Sequence, residues 1–114
     1  MTQGLNRATL VGHLGRLPEM RYTPTGKPVT SFSIVTEYTW SSSDGSRHKG
    51  IDWFNVVAWG DLAEACKRSL DKGQLVYVEG RIKNRQWQDD QACQTCEVVA
   101  QNVIALDERR APDR

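Results

Sequence analysis

Apolar and polar positions alternate with period two along most of this chain, the pattern of strands with one buried face. In 29–38, VTSFSIVTEY, Phe32, Ile34 and Tyr38 share one face while Val29 and Val35 share the other. In 51–59, IDWFNVVAW, one face carries Ile51, Trp53, Asn55, Val57 and Trp59. Segments 5–14, 74–87 and 93–106 complete a set of five predicted strands. Gly12 and Gly15 predict a bulge or sharp bend in the first, and Gly80 a bend in the fourth. In the last, Val98, Ile104 and Leu106 fall on one parity. The stretch LPEMRYTPTGKP holds Pro18, Pro24, Gly26 and Pro28 and reads as connection and turn. Residues 41–50, SSSDGSRHKG, read as a mobile polar loop whose Arg47, His48 and Lys49 are within reach of a backbone phosphate.

The period changes once. Leu62, Cys66 and Leu70 recur at i, i+4 and i+8, which predicts a helix after the third strand. Asp61 is placed to cap its N-terminus with Glu64 as capping-box partner, and Gly73 to end it in the left-handed region. The order is β-β-β-α-β-β. It predicts an all-β protein, a five-stranded Greek-key barrel with one helix between strands 3 and 4, which is the order of the OB-fold. The 114 residues suit one compact domain, assigned to 1–107, with 108–114 as a short flexible tail.

No stretch is apolar for long enough to span a bilayer, and the N-terminus lacks the tripartite pattern of a signal peptide, so a cytoplasmic protein is expected. Three cysteines, an odd number, argue against a disulfide framework. Cys93 and Cys96 form a C-x-x-C, but one pair supplies too few ligands for zinc, and on a strand the two point to opposite sides. They read as small strand residues, and neither a metal nor a cofactor is expected. No phosphate-binding loop, nucleophile elbow or zinc-protease motif is present. Asp89 and Asp90 sit in a predicted turn and point apart, so no catalytic residue is assigned and a nuclease is a weak alternative.

The formal net charge is only +1, which excludes a generic electrostatic glue for an anionic polymer. Any such binding must rest on locally concentrated cations, for which Arg7, Arg16, Arg21, Lys27 and the segment 81–87 are available. In that segment, Arg81, Lys83, Arg85 and Trp87 share one strand face, opposite Ile82, Asn84 and Gln86. Three cations and an indole supply both ingredients of single-stranded nucleic-acid binding, phosphate attraction and base stacking. The segment by itself fits equally a solvated face with Trp87 covering part of a core. Trp40 opens a Ser-rich loop and Trp87 ends a strand beside a turn, both poor core positions. Trp53 and Trp59 share the parity of Ile51 and Val57, so the pattern leaves core and surface both open for them.

Across residues 4–106 the chain resembles the bacterial single-stranded DNA-binding protein family. The segments that carry the likeness are LNRATLVGHLGRLPEMRYTPTGKPV, DWFNVVAWGDLAE and KGQLVYVEGRIKNRQW, in that order. The resemblance implies base stacking on Trp40, Trp53, Trp59 and Trp87, which are all four tryptophans of the chain. It implies phosphate contacts at Arg7, Arg21, Lys72, Lys83 and Arg85, to which the strand pattern adds Arg81. It further implies a non-enzymatic homotetramer that binds single-stranded DNA without regard to sequence during replication, repair and recombination. A nucleoid-associated location in the cytoplasm follows.

The chain also departs from the family pattern. Members usually carry a long Gly/Pro/Gln-rich linker and an acidic, aromatic-tipped tail that recruits enzymes; the sequence ends at Arg114 without either, as a chain whose tail was removed or as a short relative, which leaves tail-mediated partners doubtful. Phe54 stands where many members have histidine near the subunit contact, and His13 where asparagine is usual. Short primosomal relatives, which are dimers, form the alternative: a replication-restart adaptor of the same fold. An oligosaccharide-binding OB domain also uses aromatic platforms, but it has no need of Arg81, Lys83 and Arg85 on one face.

Overall fold

The structure is a computed structural model that describes residues 3–86 and 94–107, the side chains at 85, 86, 94 and 95 excepted. Its elements are β1 (Ala8–Leu14), β2 (Glu19–Tyr22), β3 (Pro28–Ser41), β4 (Arg47–Trp59), α1 (Asp61–Ser69), β5 (Leu75–Gln86) and β6 (Gln94–Ala105). The strands hydrogen-bond in the order β1-β5-β6-β4-β3-β2. A further pairing of β1 with β3, His13 opposite Val35 and Leu14 opposite Ile34, closes five of them into a barrel. All neighbours are antiparallel except β4 and β6. This is the predicted five-stranded barrel with one helix.

Two segments depart from the expected boundaries. The presumed connection 17–28 contains β2, a flap that pairs Glu19–Tyr22 with Ser31–Pro28 on the free edge of β3. Four residues between two prolines are too few for periodicity to register. The presumed loop 41–50 is mostly strand: β3 and β4 pair continuously from Val29 opposite Trp59 to Ser41 opposite Arg47, leaving only Ser42–Ser46 as the turn. Gly45 there adopts φ 87°, a left-handed conformation that glycine takes without strain. The outer part of this hairpin reaches beyond the barrel as an arm. With no core beneath it, its polar residues carry no buried face for a pattern to reveal.

The core lies on the even positions of β3, β4 and β5. Phe32, Ile34, Val56, Ala58, Val76 and Val78 are buried there with Leu14. That settles the ambiguity of β4: the face shared by Ile51, Trp53 and Trp59 is the outer one. In β6 the parity switches. Glu79 pairs with Asn102 but Gly80 with Ala100, so Gln101 is an extra, unpaired residue, a β-bulge. Val98 and Ala100 before it and Val103 after it face the core, whereas Ile104 and Leu106 are exposed. The expectation that Val98, Ile104 and Leu106 share a face is therefore corrected by the bulge. The strands touch closely at two glycines. A Cβ on Gly80 would fall 2.1 Å from the Val99 carbonyl oxygen, and one on Gly12 would fall 2.3 Å from that of Val35.

The helix packs Ala63, Cys66 and the following Leu70 against the barrel, with Leu62 partly covered. The buried Thr30 hydroxyl donates to the Ala63 carbonyl at 2.7 Å, tying α1 to β3. The expected capping box does not form. The N-cap is Gly60, at φ 66°, with no side-chain cap, and Asp61 is already helical. Asp61 and Glu64 in the first turn and Lys67 and Arg68 in the last still complement the helix dipole. The chain leaves the helix at Leu70 in an extended conformation, so Gly73, at φ 85°, belongs to the next turn, where its N–H donates to the Leu14 carbonyl at 2.8 Å.

Candidate nucleic-acid interface

The outer faces of β4, β6 and β5 form one continuous sheet surface. Val57 lies beside Val99 across the parallel pair, and Val99 lies opposite Arg81. One rung further on, Glu97 lies opposite Lys83. Along β4 the same surface carries Trp53, Asn55 and Trp59. Trp53 and Trp59 are six residues apart, so their Cα atoms stand about 20 Å from each other on an extended strand. Both rings reach solvent, at 59% and 37% exposure, while Val57 between them is covered at 8%. Large aromatics held open on either side of a closed sheet face suit successive bases better than a core.

Each ring is positioned by a specific neighbour. Trp53 lies over Gly15: a Cβ at Gly15 would fall 2.4 Å from Cζ3 of the indole, 2.8 Å from Ser33 Oγ and 2.9 Å from Val35 Cγ2. The glycine predicted to bend the first strand is thus also the seat of a tryptophan. Trp59 has the Lys27 ammonium over its ring, 5.4 Å from the centroid, a cation–π contact at the edge of the flap. Lys27 belongs to the turn before β3, and its place on Trp59 follows from the register that puts Val29 opposite Trp59. No local sequence signal marks that contact.

Trp40 is separate from this surface. It lies on β3 at the even parity, so it projects from the opposite face of the arm to Trp53. Tyr38 stacks on it with centroids 5.5 Å apart, and His48, its register partner, stacks at 5.1 Å. Trp87 lies outside the described residues, as do Asp89, Asp90 and Cys93, and nothing is assigned to the side chain of Arg85.

The predicted cations divide similarly. Arg81 and Lys83 are exposed on the β5 outer face. Arg7 is exposed just ahead of β1, between Ala8, which pairs with Gly80, and Asn6, whose side-chain amide exchanges two hydrogen bonds with the Ile82 backbone at 2.7 and 2.9 Å. Those bonds hold the start of the chain at the level of Arg81. Arg21 stands on β2 in an exposed ion pair with Glu19, its Nε and Nη2 donating to one carboxylate oxygen at 2.9 and 2.5 Å. The Arg21 contact holds the Glu19 carboxyl below its ordinary range. Arg21 borders a groove of about 370 Å³ between the flap and the sheet, lined also by Arg16, Ser31, Asn55 and Glu97. Lys72 is exposed in the turn after α1, on the β1 side of the molecule and apart from Arg81 and Lys83.

The arm turn is ordered by its own acid. Asp44 accepts hydrogen bonds from the Ser42 hydroxyl and, at 2.9 Å, from the Ser46 N–H, and these lower its pKa to about 2. The Cys66 thiol is pushed up to about 11 by burial, which keeps it protonated and inert. Cys96 is exposed and its Sγ donates to Asn84 Oδ1 at 2.9 Å. Among the described residues, no group of three or more His, Cys, Asp or Glu side chains is disposed to hold a metal ion, and no helix is long and apolar enough to cross a membrane.

Comparison with known proteins gives the family of the chain. The model of the single-strand binding protein family matches residues 5–106. The chain is 42% identical over 90 residues to single-stranded DNA-binding protein 1 of Chlorobaculum tepidum, covering 79% of this chain and 56% of that protein. It is 45% identical over 84 residues to the single-stranded DNA-binding protein of Neisseria meningitidis serogroup A, covering 74% of this chain and 48% of that one. The chain thus spans about half the length of these relatives. Among solved structures, the Plasmodium falciparum SSB in complex with ssDNA superposes with a TM-score of 0.84 at 26% identity, covering 94% of this chain and 99% of that one. The single-stranded DNA binding protein of Thermus aquaticus, as a deletion mutant, gives 0.81 at 33% identity, covering 96% and 54%.

Proposed function

The chain belongs to the single-strand binding protein family, and we propose that it binds single-stranded DNA without regard to sequence. The observation that carries this reading is the outer face of β4, β6 and β5, where Trp53 and Trp59 stand open beside Arg81 and Lys83. Phosphates are drawn to the cations with release of counterions, and bases stack on the indoles. Every base has a π-face, so such contacts tolerate any sequence. A duplex hides its base faces and gives the rings nothing to stack on. The stacking set is Trp40, Trp53, Trp59 and Trp87, and the phosphate set is Arg7, Arg21, Lys72, Arg81, Lys83 and Arg85. Trp40 contacts the strand from the arm, on the face opposite to Trp53. We read the protein as a non-enzymatic, cytoplasmic homotetramer that covers exposed strands in replication, repair and recombination.

A titration with oligo(dT), read by tryptophan fluorescence on protein of measured solution mass, tests the reading. Quenching by single strands but not duplex, with a tetramer mass, is the expected result. Replacing Arg81 and Lys83 together by alanine removes two phosphate contacts, and the slope of log K against log[salt] should flatten by about 1.4, at roughly 0.7 per contact for single strands. An unchanged slope would remove that face from the phosphate path. Weak quenching with a dimer mass would favour the replication-restart adaptor.

A further inference from the structure

The arm carries an aromatic column with no core under it. Among the described residues, 36–41 and 47–52 pair only with each other, as a two-stranded ribbon. On one face Tyr38 and Trp40 follow each other on β3, and His48 lies across from Trp40 on β4. Trp40 is the ring common to both stacked contacts, with interplanar angles of 27° to Tyr38 and 23° to His48. Tyr38 reaches sideways over the backbone of Gly50, its register partner. A Cβ at Gly50 would fall 2.3 Å from the Tyr38 Cζ, so only glycine leaves room for the ring. The His48 Nε2 is held 3.3 Å from the Ser42 hydroxyl, the same hydroxyl that bonds Asp44 in the turn. On the reverse face, in the rungs either side of Trp40–His48, stand Arg47 opposite Ser41 and Lys49 opposite Thr39.

Half of the Tyr38 and Trp40 surface remains in water in this arrangement, at 48% and 47% exposure. A column built only to stiffen a hairpin gains little from rings left so open, since cross-strand pairs contribute modestly. Trp40 stays as open as Tyr38 although two rings stack on it. Tyr38 and the exposed His48 extend the aromatic surface that Trp40 presents.

We propose that Tyr38 and His48 are base-contacting residues: the arm takes nucleobases of single-stranded DNA at the two ends of the Tyr38–Trp40–His48 column, with Arg47 and Lys49 on the reverse face meeting the phosphates. This rests on the reading that the chain binds single-stranded DNA, and it adds two rings to the stacking set. A strand running along the arm edge sets its bases on one side and its backbone toward the other, as the ribbon presents them. Trp40 keeps its place in the stacking set, with Tyr38 and His48 stacked against it.

The test uses the full chain and a fluorescently labelled oligo(dT), followed by anisotropy. Tyr38→Ala and His48→Ala are each expected to weaken binding by roughly 5- to 150-fold, the range that one lost stacked base commands. Tyr38→Phe and His48→Phe, which keep a flat ring, are expected to bind as the wild type does. His48→Leu keeps apolar bulk without a π-face and is expected to fold normally and still bind weakly. A photocrosslink from 5-iodouracil placed in the oligonucleotide should map to Tyr38 or His48. If the alanine and leucine variants bind like a binding-competent wild type, or if crosslinks avoid both residues, the column serves only the hairpin and the proposal falls while the proposed function stands. A wild type that fails to bind oligo(dT) overturns both.

Discussion

Gly15→Ala displaces a tryptophan without removing it. The new methyl carbon would sit 2.4 Å from Trp53 Cζ3. Carbon–carbon contact begins at about 3.5 Å, so the ring must retreat by roughly 1.1 Å or swing outward. It is free to do so, being more than half exposed. Ser33 Oγ at 2.8 Å and Val35 Cγ2 at 2.9 Å must yield as well, and overpacking of this kind costs about 1–3 kcal/mol of stability. The Gly15 backbone itself is not in the left-handed region, so alanine adds no torsional strain there. Complete loss of the Trp53 stack, as in Trp53→Ala, is worth roughly 1–3 kcal/mol, or about 5- to 150-fold in affinity. Gly15→Ala should therefore weaken binding by less than Trp53→Ala does. The double variant should bind no more weakly than Trp53→Ala alone, because the glycine acts through the ring. Anisotropy of a labelled oligo(dT) on all four proteins closes the double-mutant cycle without relying on tryptophan emission. Strict additivity would refute the reasoning, since it would mean that Gly15 contributes independently of Trp53. So would a folded Gly15→Ala that binds like the wild type while Trp53→Ala loses affinity.

Two further outcomes follow from the same geometry. Glu19→Gln releases Arg21 from its exposed ion pair and leaves it free for phosphate, so affinity for oligo(dT) should rise several-fold at low salt and the gain should fade as salt screens it; equal affinity at every salt concentration would show that Arg21 is off the DNA path. Gly80→Ala sets a Cβ against the Val99 carbonyl at 2.1 Å, a backbone contact that cannot swing away, and should destabilise the barrel by about 1–3 kcal/mol or more in a denaturant titration; a variant with wild-type stability would mean that β5 and β6 separate there at no cost.

The barrel was legible from the chain because its information is local. Period two in VTSFSIVTEY and IDWFNVVAW, one helical stripe at Leu62, Cys66 and Leu70, and glycines at 12, 15 and 80 are each visible within a few residues. What escaped is instructive in its kind. The β2 flap is too short to show a period, and the arm has no buried face, so its strands read as a loop. The bulge at Gln101 inverts the parity of β6 with no glycine or proline to announce it. The capping box failed because Gly60, not Asp61, precedes the first helical turn.

The candidate site divides along the same line. Residue types and their places in the chain pointed to Trp40, Trp87 and the cations of β5, whereas Trp53 and Trp59 entered the stacking set only through the family resemblance. Alternation also grouped Arg81 with Lys83, because side chains two apart on a strand must share a face. Alternation cannot say which face of β4 is the outside; that depended on α1 and β1 closing the barrel over Phe32, Val56 and Val76. Nor can it bring together residues that touch only through strand register. Trp53 on Gly15, Lys27 on Trp59, and Tyr38 and His48 flanking Trp40 are long-range pairings decided by how strands align across the sheet. The sequence by itself determined which groups are present and which of them share a strand face. Only the tertiary structure decided which faces meet solvent and which rings meet each other, because both follow from barrel closure and register, properties of strand pairs rather than of any one strand.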